Sequence, residues 1–141
     1  TLAAHTLYGG PAVVVDFGTS TNFDVVSAEG EFLGGALAPG IEISVDALAA
    51  RAARLFKVEL VEPRSAIGKN TAESLQSGLL YGFAGQVDGM VARISDELGT
   101  DPIVIATGGL SHLMFSVCRS LDHHEPDLTL HGLRLVFDKN R

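Results

Sequence analysis

The chain has a single cysteine, Cys118, so no disulfide can form within it and nothing points to an oxidising compartment. It has no uninterrupted apolar run of membrane-spanning length and no basic-then-apolar leader, which sets aside a membrane span and a secretory signal. Positive charge is scarce. Only 10 Lys and Arg stand against 17 Asp and Glu, a net charge of −7, and the basic residues are dispersed, so no nucleic-acid surface is expected. Like-charge runs, internal repeats and low-complexity tracts are missing too, and 46% apolar residues argue for a packed core rather than disorder. A chain of 141 residues suffices for one such domain, expected to be cytoplasmic and soluble. The first residue is Thr1, not methionine. The reading is a fragment in which residues 1–11 end an upstream segment, an Ala/Leu-rich helix tail running into a Gly-Gly-Pro turn, and residues 12–141 form the domain.

What is present is organised around Val13-Val14-Val15-Asp16-Phe17-Gly18-Thr19-Ser20-Thr21. Three β-branched residues predict a buried strand that delivers a carboxylate, a glycine and three hydroxyls into a tight turn. Residues 22–26 read as the returning strand of a hairpin and residues 31–38 as a third strand, reached through Ala28-Glu29-Gly30. Such a tip suits phosphate. A glycine admits the ligand to the backbone, amides and hydroxyls meet phosphate oxygens, and a carboxylate holds a charge-offsetting cation. Taken alone it reads first as an ordinary Gly/Ser/Thr hairpin turn.

Pro39-Gly40 ends the meander, and Ser44-Val45-Asp46 is expected to open a helix with Leu48, Ala52 and Leu55 at core spacing. Residues 58–61 read as a short extended piece before Pro63. Asn70 and Glu73 form a capping box, from which one helix of about 40 Å can run unbroken to Leu98. Its expected apolar face is Leu79, Phe83, Val87, Met90, Ile94 and Leu98, while Gly78, Gly82, Gly85 and Gly89 form a separate stripe. Interior glycines each cost up to about 1 kcal/mol, so the stripe is expected to meet another helix, in this chain or in a second subunit. Residues 102–106 predict a buried strand, Thr107-Gly108-Gly109 a turn able to pass a flat ligand or phosphate, and residues 110–118 a helix. In the tail, His123 and His124 read as structural loop residues and residues 128–130 as extended. Leu133, Val136 and Phe137 are expected on one side of a last helix.

Together, Asp16-Phe17-Gly18-Thr19, Gly34-Gly35-Ala36 through Pro39-Gly40-Ile41, Ile67-Gly68-Lys69-Asn70-Thr71 and Ala106-Thr107-Gly108-Gly109 resemble the second half of a type III pantothenate kinase. The likeness continues through Gln76-Ser77-Gly78, Val87-Asp88-Gly89 and Leu128-Thr129-Leu130-His131-Gly132-Leu133 and spans nearly all of residues 12–141, in order. It implies an α/β, ribonuclease-H-like domain of the actin-like ATPase superfamily, a mixed sheet with an antiparallel three-stranded meander flanked by helices. It also implies transfer of the ATP γ-phosphoryl group to the primary hydroxyl of pantothenate, the first step towards coenzyme A, by a homodimer needing Mg2+ and a monovalent cation, K+ or NH4+.

Carried over by resemblance, Asp16 binds the monovalent cation and Thr19, beside Gly18, contacts ATP. Thr71 contacts pantothenate, and Gly108 and Gly109 form the turn near the nucleotide. The family's Asp-x-Gly-Asn-Thr phosphate loop and its Gly-x-Asp-Arg segment, whose aspartate is the general base, are not in this chain, so no catalytic residue is assigned here. Two rivals remain: a sugar kinase of the same superfamily, against which the single cysteine argues, and a non-catalytic nucleotide-binding or dimerisation module.

Overall fold

The computed structural model describes residues 1–52 and 55–141. Three strands follow one another as a meander: β1 (Ala12–Phe17), β2 (Ser20–Val26) and β3 (Phe32–Pro39), each antiparallel to the one before. β4 (Ile103–Thr107) then lies parallel to β1, and β5 (His123–His124) parallel to β4, giving the order β3-β2-β1-β4-β5. This is the ribonuclease-H-like arrangement that the resemblance implies. β1 is flanked on both sides and covered on both faces, which is why Val13, Val14 and Val15 form an apolar run rather than an alternation. At the free edge, β3 exposes Phe32, Leu33 and Leu37, and a register shift at Val25/Val26 and Gly34 at φ +116° interrupt its pairing.

One face of the sheet carries α2 (Ile41–Arg51), α3 (Thr71–Leu98) and α4 (Ser111–Val117). Val13, Val15 and Phe17 pack there with Ile41, Leu80 and Met114. The other carries α1 (Leu2–Tyr8) and α5 (Leu128–Lys139), where Ala3, Ala4 and Leu128 close over Val14 and Ile105. None of the described helices is long and apolar enough to cross a membrane.

α3 starts as expected. The Glu73 N–H donates to Asn70 Oδ1 at 2.9 Å, while Glu73 Oε2 accepts from the Lys69 N–H at 2.8 Å, one residue earlier than in an ideal capping box. Gly99 closes the helix at φ +70°. The buried line differs from the expected face. Leu79 and Val87 are buried, but the rest of that line is Leu80, Ala84 and Val91, and Phe83, Met90, Ile94 and Leu98 only flank it. The small Ala84 lets the helix axis approach the sheet, which pushes the larger side chains to the margins. The helix is continuous despite its glycines. No atom lies within 4 Å of a Cβ built on Gly78, Gly82 or Gly85, so those three meet nothing in this chain among the described residues.

Other expectations meet the structure as follows. α2 begins at Ile41, not at Ser44, because Gly40 supplies the extended N-cap and the Ser44 hydroxyl donates back to the Gly40 carbonyl from inside the helix (3.0 Å). Its buried residues are Ile41 and Val45, and Leu48 is exposed. Residues 58–61, read as a short extended piece, join no sheet, and Val58 reaches the core. His123 and His124 pair with β4 instead of looping, and residues 128–130 are helical. On α5, Leu133, Val136 and Phe137 share a side as expected, but that side is exposed. The face turned to α1 is Leu128, Gly132 and Leu135, and a Cβ built on Gly132 would lie 3.8 Å from the Ala3 side chain.

Candidate functional site

Alternation along β1 sends Phe17 into the α3 core and Asp16 to the opposite face, beside Val14. In register, Asp16 stands between Asn22 of β2 and Thr107 of β4. A cleft of about 310 Å3 opens over it, bounded by Asp16, Asp24 and Thr107 on the sheet and by Leu128, Gly132 and Val136 on α5. Burial first, and then the negative charge of Asp24, push the Asp16 carboxyl above the ordinary carboxylate range. No donor group of the described residues reaches that carboxylate. An anion placed so, with a second anion near it and no cationic side chain among the described residues that line the cleft, fits a cation ligand. The described residues hold no cluster of three or more His, Cys, Asp or Glu suited to a metal, so the remaining ligands would be hydroxyl, carbonyl or substrate oxygens.

The hairpin tip is tied down from within. The Gly18 N–H donates to the Ser20 carbonyl (3.0 Å) and so is occupied, whereas the Thr19 N–H and hydroxyl have no protein partner among the described residues. A Cβ on Gly40 would run into the Gly18 and Thr19 carbonyls, so the start of α2 is seated directly on the tip. The β4–α4 turn closes on it from the other side. Gly108, at φ +94°, is so close that a Cβ there would collide with Asp16 Oδ1 and lie 2.7 Å from both the N and the O of Phe17. Leu110 N–H completes the link by donating to the Phe17 carbonyl (3.3 Å). Gly109 is exposed, with open space where a side chain would project.

Asp16, Gly18, Thr19, Gly108 and Gly109 are therefore gathered at one edge of the sheet, where β1 and β4 end. Thr71 is not among them. It is exposed at the leading end of α3, over the opposite face, and does not line the cleft of Asp16. α3 feeds β4 at the edge where the strands begin, so its leading end is directed towards the edge where they end. With 28 residues the helix is about 42 Å long and outruns strands of about 20 Å. Asp24 is the polar cleft residue that sequence reasoning missed, whereas Thr107 was read as part of the turn with Gly108 and Gly109. The hairpin register held the signal for Asp24: counting back from a tip at Gly18-Thr19 sets it opposite Val14, on the face of Asp16.

A family model described as Type III pantothenate kinase matches residues 1–93. Among curated proteins, the type III pantothenate kinase of Acidothermus cellulolyticus is 67% identical over 99% of this chain and 55% of its own length. That of Frankia alni is 70% identical over 99% of this chain and 56% of its own. The chain thus spans about half the length of the curated relatives it matches. Among solved structures, a protein described as a Baf family transcriptional activator from Campylobacter jejuni superposes with a TM-score of 0.69 at 23% identity, covering 99% of this chain and 62% of its own, a likeness of fold.

Proposed function

Because the chain belongs to the type III pantothenate kinase family, we propose that it is the C-terminal half of a two-domain cytoplasmic enzyme that phosphorylates pantothenate to 4′-phosphopantothenate with ATP. Residues 12–141 are its second ribonuclease-H-like domain and residues 1–11 the end of the segment that joins the two. Asp16 holds a monovalent cation, K+ or NH4+, and Thr19 offers its amide and hydroxyl to the triphosphate, which Mg2+ accompanies. Gly108 and Gly109 let the nucleotide approach the backbone. Phosphoryl transfer depends mainly on positioning and charge neutralisation, so this half contributes to catalysis while the general base stands in the other. The observation that carries the reading is Asp16 itself, a carboxylate with no donor among the described residues, facing a cleft and braced by Gly108.

Asp16→Asn in the full-length enzyme is expected to lower turnover by roughly tenfold, the loss of about one charge-assisted contact, and to flatten its dependence on K+. The raised pKa adds a second readout. The folded state holds protonated Asp16 better, so its stabilising contribution is present at low pH and lost as pH rises through the folded pKa. At neutral pH the charge weighs against the fold, and the asparagine variant should melt slightly higher in cation-free buffer. Unchanged activity at every K+ concentration would overturn the assignment. Phosphorylation of hexoses in place of pantothenate would favour the sugar-kinase reading, and transfer to neither would favour a non-catalytic module.

The enzyme works as a homodimer in this reading, with the exposed glycine stripe of α3 meeting a second protomer. Thr71 and Asp16 lie on different faces, so they can serve one reaction only if a second body, the other domain or the other protomer, closes over the edge between them. Gly82→Leu separates the cases. In a lone protomer the new side chain enters open space and gains roughly 0.7–1 kcal/mol of helix propensity. At a dimer contact it blocks close approach, and the dissociation constant should rise at least about tenfold. An unchanged oligomeric state with a higher melting temperature would remove the stripe from the interface.

A further inference from the structure

We propose that His124 and Ser111 are positioning residues that set the orientation of the Gly108–Gly109 peptide, and so the donor it presents to the nucleotide. The proposal rests on the reading of Gly108 and Gly109 as the nucleotide turn. Ser111, the first residue of α4, is buried, and its hydroxyl stands 2.6 Å from the Gly108 carbonyl oxygen and 2.9 Å from His124 Nε2. A hydroxyl has one hydrogen to give. The only group it can give it to at Gly108 is an acceptor, so the short bond is a donation to that carbonyl, and the hydroxyl must accept from His124. Nε2 therefore carries a hydrogen. The Ser111 N–H adds a second, longer bond to the same carbonyl (3.2 Å). The imidazole is held in turn by its place on β5, in register with Ala106, and by stacking on Phe115 at 5.7 Å.

The consequence lies in the peptide plane. In a trans peptide the carbonyl and the following N–H point in opposite directions. With the Gly108 carbonyl drawn in towards Ser111, the Gly109 N–H is turned outwards, and it has no partner among the described residues. An outward N–H on the turn that packs against Asp16 is a donor for an anionic or carbonyl oxygen of the nucleotide. The same plane is coupled to Asp16, because Gly108 packs against its carboxylate and against the backbone of Phe17. Without the His124–Ser111 bonds, a glycine pair at this turn is free to rotate its peptide and lose that donor.

In the full-length kinase, Ser111→Ala and His124→Leu are expected to raise the KM for ATP roughly five- to tenfold while the KM for pantothenate stays within about twofold. His124→Gln, which returns an N–H at the reach of Nε2, should restore the ATP value. Equal changes in both KM values, a lowered melting temperature with an unchanged KM for ATP, or no rescue by glutamine would each overturn the proposal. Gly109→Leu tests the premise separately, since its side chain enters open space in the protein but would fill the approach to the turn. If it leaves the KM for ATP unchanged, the nucleotide-turn reading fails and the proposal with it. If it raises that KM and the Ser111 and His124 variants do not, only the positioning role fails.

Discussion

Gly108→Ala is expected to cost about 2–5 kcal/mol of stability in the full-length protein, the sum of left-handed strain and overpacking. At φ +94° an alanine is strained whatever the space around it. The space is also filled. Of the three atoms the methyl would meet, the Asp16 carboxylate oxygen can swing aside, but the Phe17 N and O, each 2.7 Å away, belong to the central strand. That strand is paired on one side to β2 and on the other to β4, so its backbone cannot give way without breaking ladder bonds. Gly109→Ala is the control. With open space and no left-handed backbone, it should stay within about 0.5 kcal/mol of wild type. Denaturant midpoints measure both, and equal midpoints for the two variants would mean that the turn is not braced against β1.

Leu80→Ala is the second large effect, with an expected loss of about 2–5 kcal/mol. Leu80 is fully buried on α3 among the side chains that meet β1, and removing it leaves a cavity under a long helix that cannot collapse locally. Leu48→Ala on α2 should cost less than about 1 kcal/mol, because that side chain is exposed. The comparison matters because helical spacing had placed Leu48 in the core and had not marked Leu80. Thermal or urea unfolding of both variants decides it, and a larger loss at Leu48 would contradict the packing described for α2 and α3.

Those two leucines show where the sequence was readable. The meander was legible because strand alternation, the Gly18-Thr19 tip and the Gly30 turn are local signals, and α3 was legible because Asn70, Glu73 and Gly99 mark its ends. Which stripe of α3 faces the sheet was not, since several apolar lines run along it and only the approach allowed by Ala84 selects one. β5 carries no strand signal in His123-His124. It pairs because β4 leaves an edge open and Asp122 caps the approach, its carboxylate accepting from the Val104 N–H at 2.8 Å. Leu128-Thr129-Leu130 alternates like a strand, but docking of Gly132 against Ala3 on α1 draws it into a helix.

The site divides along the same line. Asp16, Gly18 and Thr19 share one turn, and the parallel pairing of β4 with β1 brings Gly108 and Gly109 to them, so motif and topology agree. Thr71 was placed by motif alone, and α3 sits on the face of the sheet opposite the cleft. Asp24 was overlooked because its position depends on register, a property of two strands together rather than of any short pattern.

The outer margin of the sheet bears on how the protein resists edge-to-edge strand pairing. β3 leaves its backbone groups open along one side and shows Phe32, Leu33 and Leu37 to solvent, features that elsewhere seed intermolecular zippers. Its two ends are spoiled for that use. The kink at Val25/Val26 with left-handed Gly34 bends the entry, and Pro39 withholds a donor at the exit. An invading chain finds only the short rail between them, too little to template a growing fibril.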